Sequence, residues 1–119
     1  ISQYAGIEAL KGPKDTINNI KKEFHNRKNF IYSKLNELKK ISCFEPGGAF
    51  YAFPNVSKSG LNGQKFSDIA LEEKGVALVP GTSFGNSAED FVRISYANSM
   101  ENLEKAIYRL STIWKKLKL

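Results

Sequence analysis

Between Lys14 and Lys40 the apolar residues Ile17, Ile20, Phe24, Ile31, Leu35 and Leu38 recur in steps of three, four and seven. An α-helix turns once every 3.6 residues, so this spacing predicts one long amphipathic helix with a single apolar face. Asp15 near its start and Lys39-Lys40 near its end suit the helix dipole. Upstream, Tyr4, Ile7, Ala9 and Leu10 predict a short helix over residues 1–11, closed by Gly12-Pro13. Glycine favours a left-handed C-cap, and proline can open the next helix but not continue the last.

The pattern then changes. Ser42-Cys43-Phe44 reads as strand, Pro46-Gly47-Gly48 as a turn, and Ala49 to Phe53 as a strand rich in aromatics. After a polar loop from Asn55 to Asn62, a helix over Gly63 to Lys74 is expected to bury Phe66, Ile69 and Ala70, with Gly75 closing it. Val76-Ala77-Leu78-Val79 is a continuous apolar run, which predicts a strand covered on both faces. Pro80 to Gly85 is a turn-forming loop, and Phe91 to Tyr96 alternates as a strand does. Ser99 is placed as an N-cap, with Glu101 and Glu104 in the first turn. Leu103, Ala106, Ile107, Leu110, Ile113, Trp114 and Leu117 form the apolar stripe of a last helix ending in Lys115, Lys116 and Lys118.

The order α, α, β, α, β, β, α predicts an α+β, two-layer domain. A small mixed or antiparallel sheet is covered on one face by helices, including a long N-terminal and a C-terminal helix.

The 119 residues suit one domain with one core, and 41% hydrophobic with 25% charged residues is ordinary for a globular protein. No apolar run approaches the roughly 18 residues that span a bilayer. Ile1-Ser2-Gln3-Tyr4 has no signal-peptide character and no initiator Met, so the chain is expected to begin inside a longer protein. A single cysteine, Cys43, fits a buried thiol in a reducing, cytoplasmic setting. The net charge of +6 could attract an anionic partner, but the lysines are spread along helices, as solvated faces would have them.

Arg93 interrupts an otherwise apolar and small strand, and alternation places it on one face with Phe91 and Ser95. A guanidinium there is either solvated at an edge or paired, and its planar fork suits a carboxylate. Gly47-Gly48 and Pro80-Gly81…Gly85 either let a backbone approach a ligand or simply make turns. No dinucleotide fingerprint, phosphate loop or metal-ligand spacing is present, and a single histidine, His25, argues against a Ser-His-Asp site.

Several stretches resemble the class I aminotransferases. Pro46-Gly47-Gly48-Ala49-Phe50-Tyr51 is similar to their P-x-G-A-F-Y segment. Val76 to Gly85 resembles their V-x-x-x-P-G-x-x-F-G loop, and Phe91 to Ala97 resembles their R-[IL]-S-[YF]-A strand. Met100 to Ala106 fits the opening of their terminal helix, and Ile1 to Ala5 the helix that leaves their large domain.

The resemblance implies a fold-type I, aspartate aminotransferase-like enzyme that moves an amino group between aspartate or a similar amino acid and a 2-oxo acid. It implies pyridoxal 5'-phosphate held by a large domain, and a homodimer. Residues 1–12 would be the tail of the helix leaving that large domain, and residues 13–119 the small domain that closes over substrate. Arg93 matches the arginine that grips the substrate carboxylate, and Phe50 the phenylalanine beside it. No catalytic, cofactor-binding or metal residue is expected in these residues. Ser57-Lys58 is the closest text to the cofactor-lysine motif, but Gln64 and Phe66 stand where that motif has glycine and arginine, so Lys58 reads as a loop lysine. The alternative is a stand-alone basic α+β module for nucleic acid or another anionic ligand. That reading wants several basic residues among the aromatics of the open sheet face, whereas the strands carry Arg93 alone.

Overall fold

Alternation along the central strand sorts the sheet into two faces. Val92 and Ile94 point inward and are buried, while Arg93 and Ser95 point to the other side. The computed structural model describes residues 1–113. Among them are helices α1 (Ser2–Lys11), α2 (Asp15–Glu37), α3 (Gly63–Lys74) and α4 (Met100–Ser111), and strands β1 (Tyr51–Ala52), β2 (Val79–Pro80) and β3 (Val92–Ser95). The strand order is β1-β3-β2 with both pairings antiparallel. Tyr51 lies opposite Ser95 and Ala52 opposite Ile94. On the other edge Val79 lies opposite Arg93 and Pro80 opposite Val92.

The core joins the inward sheet residues Ala52, Val92 and Ile94 to Ile31 and Leu35 of α2, Phe66 and Ala70 of α3, and Leu103, Ile107 and Leu110 of α4. This is the expected α+β arrangement, with the sheet wholly antiparallel among the described residues. Side-chain caps satisfy two helix starts: Asn62 accepts from the Lys65 N–H at 3.0 Å, and Ser99 from the Asn102 N–H at 3.3 Å. Gly75 ends α3 in the left-handed conformation (φ 62°), as its position suggested.

Several expectations need correction. The long helix stops at Glu37 rather than Lys40, because Leu38 is extended (ψ 114°). The Asn36 side chain then takes both backbone groups of Cys43, donating to its carbonyl and accepting from its N–H, each at 3.0 Å. That pair turns the chain off the helix. Gly12 is extended (φ −68°, ψ 172°), not left-handed; its N–H still bonds the Glu8 carbonyl at 2.6 Å.

Cys43 is not in a strand; only its neighbour Ser42 makes an isolated bridge, to Asn55. The strand expected over Ala49 to Phe53 shrinks to Tyr51–Ala52. Ala49 has a positive φ of 66°, and Pro54 has no N–H to extend the ladder. In the run Val76 to Val79, only Val79 is paired. Val76 is buried, Ala77 exposed, and Leu78 and Val79 half-buried, so that run is not covered on both faces. Trp114, Lys115, Lys116, Leu117 and Lys118 lie outside the described residues; within them the α4 stripe is buried as expected at Leu103, Ile107, Leu110 and Ile113.

The apolar face of α2 is covered only in part. Ile31 and Leu35 are buried and Phe24 and Leu38 pack at the margin, but Ile17 and Ile20 are half-exposed. Helix α1 has no buried residue at all.

Candidate functional site

The side of the sheet away from the helices carries an arginine set among aromatic rings. Arg93 sits there because its strand neighbours Val92 and Ile94 take the core face. The β1–β3 register, continued to the Asn55–Phe91 bridge, brings Phe53 level with Arg93 on the same face, beside Tyr51. Phe84 reaches it from the short 3₁₀ turn Gly81–Phe84 that follows β2. The Arg93 Cζ lies 4.9 Å from the Phe84 ring centroid and 5.6 Å from that of Tyr51. Arg93 is half-buried, and among the described residues no carboxylate lies within ion-pair distance of it. The ion pairs Glu23–Arg27, Lys28–Glu45, Lys34–Glu37 and Glu101–Lys105 all lie elsewhere.

The rings brace one another. Phe53 meets Phe84 edge-on (5.9 Å, 81°) and stacks on Phe91 (5.3 Å, 9°). Phe50 meets Tyr51 edge-on (5.5 Å, 89°). These are the offset and T-shaped arrangements that ring quadrupoles favour. The turn bearing Phe84 is fixed by the Gly81 N–H, which donates to the Phe91 carbonyl at 2.8 Å. A Cβ on Gly81 would collide with the Ala88 carbonyl and come within 2.7 Å of the Phe91 carbonyl oxygen, so only glycine fits.

Phe50 is half-exposed at the end of the loop 45–50. Its carbonyl accepts from the Tyr96 N–H at 2.8 Å, and the Tyr96 hydroxyl donates to the Ala49 carbonyl at 3.2 Å. Burial pushes the Tyr96 phenol up, against a smaller opposing pull from Lys28, so it stays a neutral donor at ordinary pH. At the other end of the loop Lys28 donates to Glu45 at 2.6 Å, holding the Glu45 carboxyl below its ordinary range. The loop is thus moored at both ends, while Gly47 and Gly48 between them touch nothing where a side chain would be.

The structure brings the two expected site residues, Arg93 and Phe50, onto one aromatic chain, joined through Tyr51. It also adds Phe84 and Tyr51, which the sequence reading did not single out. The register of β1 on β3 would have pointed to Tyr51. Phe84 carries only a weak signal, an aromatic inside a Pro-Gly turn. The other candidates stand apart. Cys43 is buried with its thiol pushed up by desolvation, so it is no poised nucleophile. His25 is on an exposed helix face, hydrogen-bonded to Asn29, and Lys58 is exposed in the turn Ser57–Ser59. A separate groove of about 480 Å³, lined by Val76, Leu78, Ile94, Asn98, Leu103 and Arg109 among others, includes neither Arg93 nor Phe50. Among the described residues no group of three or more His, Cys, Asp or Glu could hold a metal ion, and no helix is long and apolar enough to cross a membrane.

Residues 1–110 match the family described as Aminotransferase class I and II. The aspartate aminotransferase of Pyrococcus horikoshii is 43% identical over 110 residues, which are 91% of this chain and 28% of that protein. The aromatic-amino-acid aminotransferase 2 of Thermococcus litoralis is 37% identical over 119 residues, 98% of this chain and 30% of that protein. Among solved structures, an aromatic aminotransferase from Pyrococcus horikoshii superposes with a TM-score of 0.92 at 40% identity, covering 98% of this chain and 31% of that one. The chain therefore spans about 30% of the length of these relatives.

Proposed function

The chain belongs to the class I and II aminotransferases, and from that premise we propose that it forms the substrate-closing small domain of such an enzyme, with Arg93 holding the carboxylate of the amino acid or 2-oxo acid. One observation carries the reading. A half-buried guanidinium stands on the open side of the sheet, flanked by rings and with no carboxylate partner among the described residues. An arginine in that state has its bidentate edge available to a planar acid group. Fixing that group restricts how the bond at the neighbouring carbon meets the reacting centre, which is catalysis by orientation. Phe50, half-exposed beside Tyr51, then lies against the rest of the substrate.

In this reading residues 1–12 are the tail of a helix leaving the large domain and residues 13–119 are the small domain. Helix α1, which has no buried residue and so no share in the core, supports this division. Pyridoxal phosphate supplies the electron sink when bound to the rest of the enzyme. The described residues here do not fit it: rings, not phosphate donors, surround Arg93, and Lys58 stands in an exposed turn. These residues alone therefore support no turnover. Aspartate or a similar amino acid as donor, a homodimer and a cytoplasmic setting complete the proposal, on the strength of the family and its aspartate-named members.

The test is Arg93→Lys in the whole enzyme. Lysine keeps the charge and loses the fork, so kcat/KM should fall by roughly a hundredfold or more. An unchanged value removes Arg93 from the site.

A further inference from the structure

We infer that Phe84 and Tyr51 are positioning residues that hold the Arg93 fork ready for a carboxylate, where no carboxylate pairs with it among the described residues. This rests on the carboxylate-binding reading of Arg93. An arginine side chain is long and rotamer-rich, and an unheld one would have to be ordered when the ligand arrives. The usual way to hold it is an acidic partner, but such a partner would occupy the same N–H edge that must grip the substrate. Rings avoid that conflict. They attract the cation through the faces of the guanidinium plane and leave its edge free.

Phe84 and Tyr51 lie 4.9 Å and 5.6 Å from Cζ, both inside cation–π range. Each ring is itself fixed. Phe84 is braced by Phe53, Phe53 by Phe91, and the Phe91 carbonyl is held by the Gly81 N–H at the head of the turn that carries Phe84. This closes a circuit around one side of the guanidinium. Tyr51 is braced by Phe50, so the ring nearest the substrate and the cation that binds it are coupled through a shared neighbour. Neither Phe84 nor Tyr51 need touch the reacting atoms.

The experiment uses the whole enzyme and the competitive inhibition constant of propionate, a monocarboxylate without an amino group to react. Phe84→Leu should raise that constant by roughly 3- to 30-fold, the span expected for losing one cation–π partner. Phe84→Tyr keeps the ring and should restore it to within about twofold. A role in packing alone would alter the unfolding midpoint without changing the constant in the folded enzyme. Should Phe84→Leu fail to fold, Tyr51→Leu against Tyr51→Phe makes the same comparison at the second ring beside Arg93. A leucine variant that shifts the constant less than threefold, or an aromatic variant as damaged as the leucine one, overturns the inference. Arg93→Lys serves as the control. If it leaves propionate binding intact, the carboxylate reading itself falls. If it abolishes binding while the leucine variants stay silent, only the positioning role falls.

Discussion

The Tyr96 hydroxyl donates a hydrogen bond to the carbonyl of Ala49, a non-glycine residue held at a φ of +66°. The left-handed conformation costs a residue with a Cβ about 1–2 kcal/mol. The structure retains it here because Tyr96 grips the loop twice, by its hydroxyl at Ala49 and by its N–H at Phe50. Tyr96→Phe should therefore destabilise the protein by about 1 kcal/mol, the net worth of one partly buried hydrogen bond. Ala49→Gly should do the opposite. It removes the left-handed strain and adds unfolded-chain entropy, leaving a gain of roughly 0.5–1 kcal/mol. Urea unfolding of the two variants beside the parent would check both signs.

Two glycines, Gly63 and Gly81, pack closely against the Phe91 carbonyl. A Cβ on Gly63 would collide with that oxygen and lie 2.9 Å from the Glu89 carbonyl, and Gly81 is hemmed in by the Ala88 and Phe91 carbonyls. Hydrogen-bonded backbone carbonyls cannot move aside as a side chain can. Gly81→Ala should cost more than about 2 kcal/mol. Gly48→Ala meets open space and should change stability by no more than about 0.5 kcal/mol. Equal denaturation midpoints for these two variants would contradict the packing described.

The pair Lys28–Glu45 gives a pH dependence of known sign. The hydrogen bond from Lys28, then its charge, lower the Glu45 carboxyl pKa in the folded protein, with burial opposing and His25 adding a small pull. A lowered carboxylate contributes stability that is present above the unfolded pKa and lost as pH falls through the folded one. Glu45→Gln should thus be less stable than the parent near neutrality. The difference should close as the solution is acidified below the ordinary carboxylate range. Because Glu45 is exposed, the effect is small and should shrink with added salt. Thermal midpoints at neutral and acidic pH, at two salt concentrations, would reveal a gap of the wrong sign.

The helices were legible because their signal is local. Steps of three and four placed Ile31 and Leu35, then Leu103, Ile107 and Leu110, in the core, and Ser99 and Gly75 were read as caps from residue type alone. The errors fell where tertiary contacts override local preference. Leu38 continues the helical spacing, but the Asn36 side chain captures Cys43 and ends the helix first. The run Val76 to Val79 has the composition of a doubly covered strand, yet among the described residues no layer covers its outer side. Of the site, Arg93 and its face were legible from alternation. Phe84 was not, since only the fold of the Gly81–Phe84 turn carries its ring to Arg93.

Helix α1 has ten residues and none of them is buried; Tyr4 and Leu10 are each more than four-fifths exposed. A peptide of that length has too few hydrogen bonds to repay its own nucleation in water. Its helicity on its own is therefore marginal. Left uncovered, the segment should fray before the long helix Asp15–Glu37, which Ile31 and Leu35 tie into the core.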